Sequence, residues 1–273
     1  MTPDRPLITC VVPTFNAGRW LREALDSILG QTYRPLEIVV ADDGSEDDTV
    51  GVAASYGEPV RVVGQVGQGP SATRNLGIRA ARGAFVAFLD PDDLWHREKL
   101  DRQMRAFEDD PALDLCVSHV ELFWEAAAAA DAERLKDQAR ARGPVPGFAG
   151  NALLARRSAF DRVGLFDPAL WFADAVDWFL RAEEAGLKRA LLPDVLAYHR
   201  MHASNLTRRR DAESRDEFLR VVKARSDRRR SRSDQGSGAE KPVADAPPEE
   251  TFMDAGEGGG AEARPEGRVA EES

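Results

Sequence analysis

The first ninety residues predict an α/β fold with a mostly parallel central sheet flanked by helices. Short apolar runs alternate there with segments of helical periodicity, the rhythm of parallel strands joined by crossover helices. Two acidic clusters each follow directly on an apolar run. That puts them at the carboxyl ends of strands, where open α/β sheets gather their ligands. Apolar residues make up 42 % and charged residues 31 % of the 273, enough for a sizeable core beneath a well-solvated surface.

Residues 7–12, Leu-Ile-Thr-Cys-Val-Val, form a buried strand ended by Pro13. Ala17 to Leu29 reads as a helix, with Trp20, Leu21, Ala24, Leu25 and Ile28 at helical spacing and Gly30 as its stop. Leu36 to Ala41 is a second strand that runs into Asp42-Asp43-Gly44-Ser45. A helix over Thr49 to Ser55, a strand over Val60 to Val63 and a turn with Gly64, Gly67 and Gly69 follow. Ser71 to Ala81 is helical, and Ala84 to Leu89 is a fourth strand ending at Asp90. In the less regular second half, Glu98 to Glu108 is an amphipathic helix and Leu113 to Phe123 an extended strand. Glu125 to Arg142 is an Ala-rich helix or excursion, and order resumes over Phe148 to Arg156 and Ser158 to Val163. Asp174 to Ala185 is a helix, and Lys188 to Tyr198 is a last strand.

The ordered domain is expected to span residues 1–206. Residues 207–233 carry 11 basic against 5 acidic residues, a basic helix or linker in which Phe218, Leu219, Val221 and Val222 favour a short helix. Residues 234–273 carry 11 acidic against 3 basic residues, are rich in Gly, Pro and Ala, and read as a disordered acidic tail. The net charge of −10 argues against nucleic acid as a general partner. Cys10 and Cys116 sit in apolar runs and read as buried thiols of a reducing compartment. The N-terminus lacks the order of a signal peptide and no apolar run is long enough to span a bilayer, so a cytoplasmic protein is expected. The basic stretch reads as a solvated linker partly neutralised by the acidic tail; the alternative is peripheral contact with anionic lipid at the inner face of a membrane.

Asp90-Pro91-Asp92-Asp93 puts three carboxylates within four residues, which repel unless they are solvated or bound to a cation. A hard cation such as Mg2+ or Mn2+ suits carboxylate oxygens completed by water and phosphate. The competing reading is an acidic turn in which Asp92 or Asp93 caps a helix starting near Trp95. Asp42 and Asp43 either accept hydrogen bonds from a ribose or base, or form an Asx-type turn around Gly44.

These clusters stand in order with Val12-Pro13-Thr14-Phe15-Asn16, Gln31-Thr32-Tyr33, Gly69-Pro70-Ser71-Ala72-Thr73-Arg74-Asn75-Leu76-Gly77 and Phe88 to Trp95. Over residues 7 to about 205 the chain resembles the inverting family-2 glycosyltransferases of the Rossmann-like GT-A fold. The resemblance implies transfer of a sugar from a nucleoside-diphosphate sugar, with a UDP-sugar as the expected donor. The acceptor hydroxyl would belong to an unknown glycan, lipid-linked or peptide partner. It implies a nucleotide pocket lined by Pro13, Thr14, Asn16, Asp42, Asp43, Arg74, Asn75 and Asp90. The divalent metal, Mg2+ or Mn2+, would be held by Asp92 as direct ligand, with Asp90 and His202. Pro146 to Asn151 looks like the family's glycine loop.

In relatives a Glu-Asp pair opens a late helix and its second acid is the base. Here the stretch is Asp174-Ala175-Val176-Asp177-Trp178-Phe179-Leu180-Arg181, so Ala175 occupies the position of the usual Asp. Asp174 and Asp177, three apart on one helical face, are the candidates to replace it, with Asp177 alternatively pairing with Arg181 at i,i+4. If neither does, the protein is an impaired transferase that binds nucleotide or glycan. His199 reads as structural.

Overall fold

The computed structural model describes residues 5–125, 145–147, 150–202, 205 and 211–236. The chain falls into two units, Met1–Ser231 and Arg232–Ser273; of the second, residues 232–236 are described, as the end of a helix. Most of the Ala-rich segment expected over residues 125–142 and the acidic tail from residue 237 lie outside the described residues.

The first half follows the predicted alternation: β1 (Ile8–Thr14), α1 (Leu21–Leu29), β2 (Leu36–Asp42), α2 (Thr49–Ala54), β3 (Val60–Gly64), α3 (Pro70–Ala80) and β4 (Phe85–Phe88). β1 lies between β2 and β4, parallel to both, with Ile8 level with Leu36 and Phe85, and β3 continues the parallel order beyond β2. β1 and β2 are buried along their whole length because both faces are covered. Side chains alternate across β1. Ile8, Cys10 and Val12 join one apolar cluster with Leu21, Leu25 and Ile28 of α1, while Val11 joins a second with Ile78 of α3.

The second half makes the sheet mixed. β5 (Leu94–Trp95), α4 (Lys99–Asp109), β6 (Leu115–Trp124), β7 (Val145–Pro146), β8 (Leu154–Arg156), α5 (Arg157–Val163), α6 (Asp174–Glu184), β9 (Arg189–Met201) and α7 (Asp211–Gly236) follow in order. The sheet order is β3-β2-β1-β4-β8-β6-β9-β5, with β7 beside β6. β8 runs antiparallel to β4 and β6, and β9 is parallel to β6. The parallel order thus belongs to the N-terminal half, and the return of β9 beside β5 brings residues near 200 back to those near 94.

Two buried residues set the packing that positions the loops. Gly77 on α3 faces Val11, and a Cβ there would come within 2.2 Å of the Val11 side chain, so the helix lies closer to β1 than any other residue permits. Lys99 on α4 is fully buried. Its ammonium donates to Gln103 Oε1 at 2.8 Å and to the Leu153 carbonyl at 3.4 Å, and lies 4.3 Å from the centre of the Trp95 ring. All three partners are neutral. Burial pushes the Lys99 pKa down to about 7, against the weaker opposing pull of the Cys10 and Cys116 thiols.

Because the folded value lies below the unfolded value of about 10.4, the unfolded chain holds the extra proton between roughly pH 7 and 10. Lys99 therefore makes stability rise with pH across that window. Urea unfolding of wild type and Lys99→Met should show the variant's relative stability falling as pH rises from 7 to 9.5. The slope of that difference is at most about 1.4 kcal/mol per pH unit. A difference independent of pH would contradict the assignment.

Candidate active site

A cleft of about 740 Å³ opens at the carboxyl ends of β1 and β4. Among the predicted residues, Pro13, Thr14, Asn16, Asp43, Arg74, Asp90, Asp92 and His202 line it; Phe15, Trp20, Gly69, Thr73 and Trp171 join them.

The two acids of the first cluster divide their work. Asp42 is buried and accepts bonds from Thr14 Oγ1 (3.1 Å), Ser45 Oγ (2.5 Å) and the N–H groups of Gly44 (3.1 Å) and Ser45 (2.9 Å). Its lone pairs are filled by its own turn and it does not line the cleft, so the Asx-turn alternative describes Asp42. Asp43 accepts from the N–H groups of Gln68 (2.9 Å) and Gly69 (2.8 Å) and from Gln65 Nε2 (3.1 Å). A carboxylate has about four lone-pair sites, so Asp43 keeps room for one further donor on its cleft side. Asn16 ties the loop after β1 to this turn. It sits at a φ of 50°, a conformation Asn tolerates, and its Oδ1 accepts the Glu46 N–H at 2.8 Å.

The second cluster divides in the same way. Asp93 has no exposed surface and accepts from Asn151 Nδ2 (2.6 Å), His199 Nδ1 (2.9 Å) and the Arg200 N–H (2.9 Å). Burial alone would lower the His199 pKa, but the charge and hydrogen bond of Asp93 outweigh it and raise the imidazole to about 9. The pair pins the acidic turn to β9, as the structural reading of His199 requires. Leu94 and Trp95 are a strand and the next helix starts at Lys99, so neither acid caps a helix near Trp95. Asp92 faces the cleft with its Oδ2 2.9 Å from His202 Nε2. Trp20 stacks on His202 with ring centres 4.2 Å apart, and Trp20 Nε1 donates to Glu125 at 2.6 Å. α1 begins at Leu21, four residues after the expected Ala17, with a turn over the residues between.

Asp90 meets Arg74. One guanidinium nitrogen donates to Asp90 Oδ1 at 2.8 Å and the other terminal nitrogen to Asp174 Oδ2 at 2.7 Å, while Nε is buried without a partner. A third of the Asp90 side chain is open to the cleft, and protein surrounds the rest. Confinement raises its pKa; Arg74 opposes this, and the nearby charges of Asp93 and Asp92 reinforce it. Burial disfavours charge on Arg74, but Asp174 and Asp90 more than compensate, so it stays a cation.

Asp174 therefore stands one guanidinium behind the cleft wall, its side chain 5 % exposed. Ala175 packs against the second apolar cluster, with Leu165 and Val163. Asp177 accepts Arg181 Nε at 2.7 Å, the i,i+4 pair, and does not line the cleft. Asn75 exchanges two bonds with the backbone of Phe166, at 2.8 and 3.0 Å, and does not line the cleft. In the glycine loop, a Cβ on Gly147 would come within 2.4–2.7 Å of Ala152, Val120 and the Ser118 carbonyl; Phe148 and Ala149 lie outside the described residues.

Among the described residues no three His, Cys, Asp or Glu side chains form a closed metal cage. Asp92 and His202 instead offer one carboxylate and one imidazole, side by side on the cleft wall. That set fits a hard or borderline cation that fills its remaining positions with water and phosphate oxygens.

The family model described as glycosyl transferase family 2 matches residues 9–164. An uncharacterized glycosyltransferase of Nostoc sp. is 30 % identical over 220 residues, 72 % of this chain and 66 % of that protein. The putative glycosyltransferase EpsH of Bacillus subtilis is 28 % identical over 222 residues, 76 % of this chain and 64 % of its own. The mannosyltransferase PcManGT from Pyrobaculum calidifontis, solved in complex with GDP-Man and Mn2+, matches with a TM-score of 0.61 at 22 % identity, over 81 % of this chain and 65 % of that one. S. aureus TarS 1-349 in complex with UDP-GlcNAc matches with a TM-score of 0.59 at 22 % identity, over 72 % and 59 % of the two chains. At such identities the solved structures carry the fold, which is GT-A. The chain spans two thirds or less of the length of the relatives it matches.

Asp93→Ala would strand the His199 imidazolium, the Asn151 amide and the Arg200 N–H together. It should cost about 2–4 kcal/mol in urea unfolding at pH 7. A loss below about 0.5 kcal/mol would show that the turn does not depend on this carboxylate.

Proposed function

The chain belongs to glycosyl transferase family 2, and from that membership we propose that its cleft transfers a sugar from a nucleoside-diphosphate sugar to an acceptor hydroxyl, with a divalent metal and with inversion. The observation that carries the reading is the meeting of Asp43, Arg74, Asp90, Asp92 and His202 on one cleft. Asp43 is held by the Gln68 and Gly69 amides with an acceptor position to spare for a base N–H or a ribose hydroxyl. Arg74 brings a cation to the wall that would face a diphosphate. Asp92 and His202 would hold Mg2+ or Mn2+, which supplies Lewis-acid stabilisation of the departing phosphate charge.

Inversion needs one displacement. The acceptor oxygen bonds to the anomeric carbon while the bond from that carbon to the phosphate oxygen breaks, and the nucleoside diphosphate leaves with the electron pair. The acceptor's proton passes to a carboxylate. Asp174 is the candidate that the surroundings favour, because Asp177 is committed to Arg181 and Ala175 is packed in an apolar cluster. Arg74 donates to Asp174 Oδ2 at 2.7 Å, and diphosphate oxygens would compete for that guanidinium. The UDP-GlcNAc and GDP-Man bound by TarS and PcManGT make UDP- and GDP-sugars the first donors to try. The acceptor is a hydroxyl of a glycan, lipid-linked carrier or peptide. No helix among the described residues is long and apolar enough to cross a membrane. Of the basic stretch, Arg225 and Arg228 already pair with Glu183 and Glu184, which leaves less of its charge for a lipid surface.

A panel of sugar nucleotides with Mn2+, followed by nucleoside-diphosphate release, tests the proposal. The wild type should turn over one donor, and Asp92→Ala should lose about 100-fold or more, the scale of a lost electrostatic stabiliser. Wild-type rates in Asp92→Ala would contradict it. Nucleotide binding without any sugar release would point instead to a binding module, the reading that Ala175 alone favours.

A further inference from the structure

Helix α7 lies beyond the stretch that the family model matches, yet its side chains hold both ends of α6. Glu217 is 4 % exposed. Its carboxylate accepts the N–H groups of Trp171 (2.9 and 3.1 Å), Phe172 (2.6 Å) and Ala173 (2.7 Å). Ala173 is the N-cap of α6 and offers no side-chain cap of its own. A carboxylate from 44 residues along the chain therefore satisfies the amides entering α6 and places negative charge at its positive end. At the opposite end Arg225 pairs with Glu183 at 2.9 Å and Arg228 with Glu184 at 3.0 Å.

The turn that Glu217 grips carries two features of the cleft. The Trp171 indole packs on Gly69, where a Cβ would meet the ring at 3.2 Å, and it lines the cleft beside Arg74. One residue beyond the turn is Asp174, bound to Arg74 and to Ser71 Oγ at 3.2 Å, while the Ser71 hydroxyl also bonds the Leu170 carbonyl. Any loosening of Trp171–Ala173 moves the aromatic wall and the candidate base together.

We propose that Glu217 is a positioning residue of the transferase site: its carboxylate fixes the Trp171–Ala173 turn so that Trp171 closes the cleft and Asp174 meets Arg74. The inference rests on the reading of the cleft as a sugar-transfer site. It extends the working part of the enzyme into the terminal helix, whose contribution is made through backbone amides and not by contact with substrate. Gln at 217 could still accept N–H bonds through its carbonyl oxygen, but without the charge that complements the α6 terminus.

The test compares the full-length wild type with Glu217→Ala, Glu217→Gln and Arg228→Ala, the last loosening α7 without touching the turn. Sites are counted by titration with UDP or GDP and Mn2+. Turnover is read as hydrolysis of UDP-N-acetylglucosamine or GDP-mannose per nucleotide-binding site, alongside thermal unfolding. Glu217→Ala should lose tenfold or more in turnover per site and Glu217→Gln should recover part of it. Arg228→Ala should stay within twofold of wild type even where its melting temperature falls as far. Turnover per site in Glu217→Ala equal to that of Arg228→Ala would overturn the proposal and leave Glu217 a stabilising contact. If the wild type binds nucleotide but hydrolyses neither donor, the transferase reading fails separately. Positioning is then decided by nucleotide affinity: at least fivefold weaker in Glu217→Ala than in Arg228→Ala if Glu217 sets the Trp171 wall, and equal if it does not.

Discussion

The site depends on a single cation, Arg74, shared between two carboxylates from distant parts of the chain. Asp90 follows β4 in the parallel half of the sheet, and Asp174 opens α6, which packs on the far side of the second apolar cluster. The guanidinium bridges the two carboxylates, and it would not stay buried as a cation without them. Arg74 thus links the half that carries the acidic turns to the half that carries Asp174. Gly77 brings the helix that carries it tight against β1, and Asn75, next to it, fastens that helix to Phe166.

Around this bridge each acidic pair has one member spent on its surroundings and one that lines the cleft. Asp42 saturates its own turn and leaves Asp43 facing the cleft; Asp93 is spent on His199, Asn151 and Arg200 and leaves Asp92 facing it. In each pair the acid off the cleft fixes the backbone that aims the other. Such preorganisation lets a carboxylate meet a ligand without first ordering its own loop. The same logic reaches α7, where the Glu217 carboxylate orders the turn ahead of Asp174.

The parallel half was legible because continuous apolar runs mark doubly covered strands, and the acids directly after them mark strand ends. The boundaries of β2, α2 and β3 fall within a residue of their predicted limits. The mixed half was not, since the insertion of β8 between β4 and β6 rests on pairings between segments far apart in the chain. Within the site, three acids in four residues look alike until β9 returns and places His199 under Asp93. Asn75 and Asp42 carry the right side chains for ligand contact, but nearby backbone claims them. Trp171 and Glu217 give no sequence signal, for opposite reasons. An aromatic in a loop and an acid within a basic run each look ordinary until the turn between them is seen.

The central claim is that Asp174, held by Arg74, stands in for the acid absent at Ala175. Single-turnover transfer by Asp174→Asn tests it most directly, since Asn can still accept the Arg74 hydrogen bond but cannot take a proton under these conditions. The account predicts a chemical step slowed about 100-fold or more, with affinity for UDP or GDP and Mn2+ within about threefold of wild type. A wild-type rate in Asp174→Asn, with loss in Asp177→Asn instead, would contradict it.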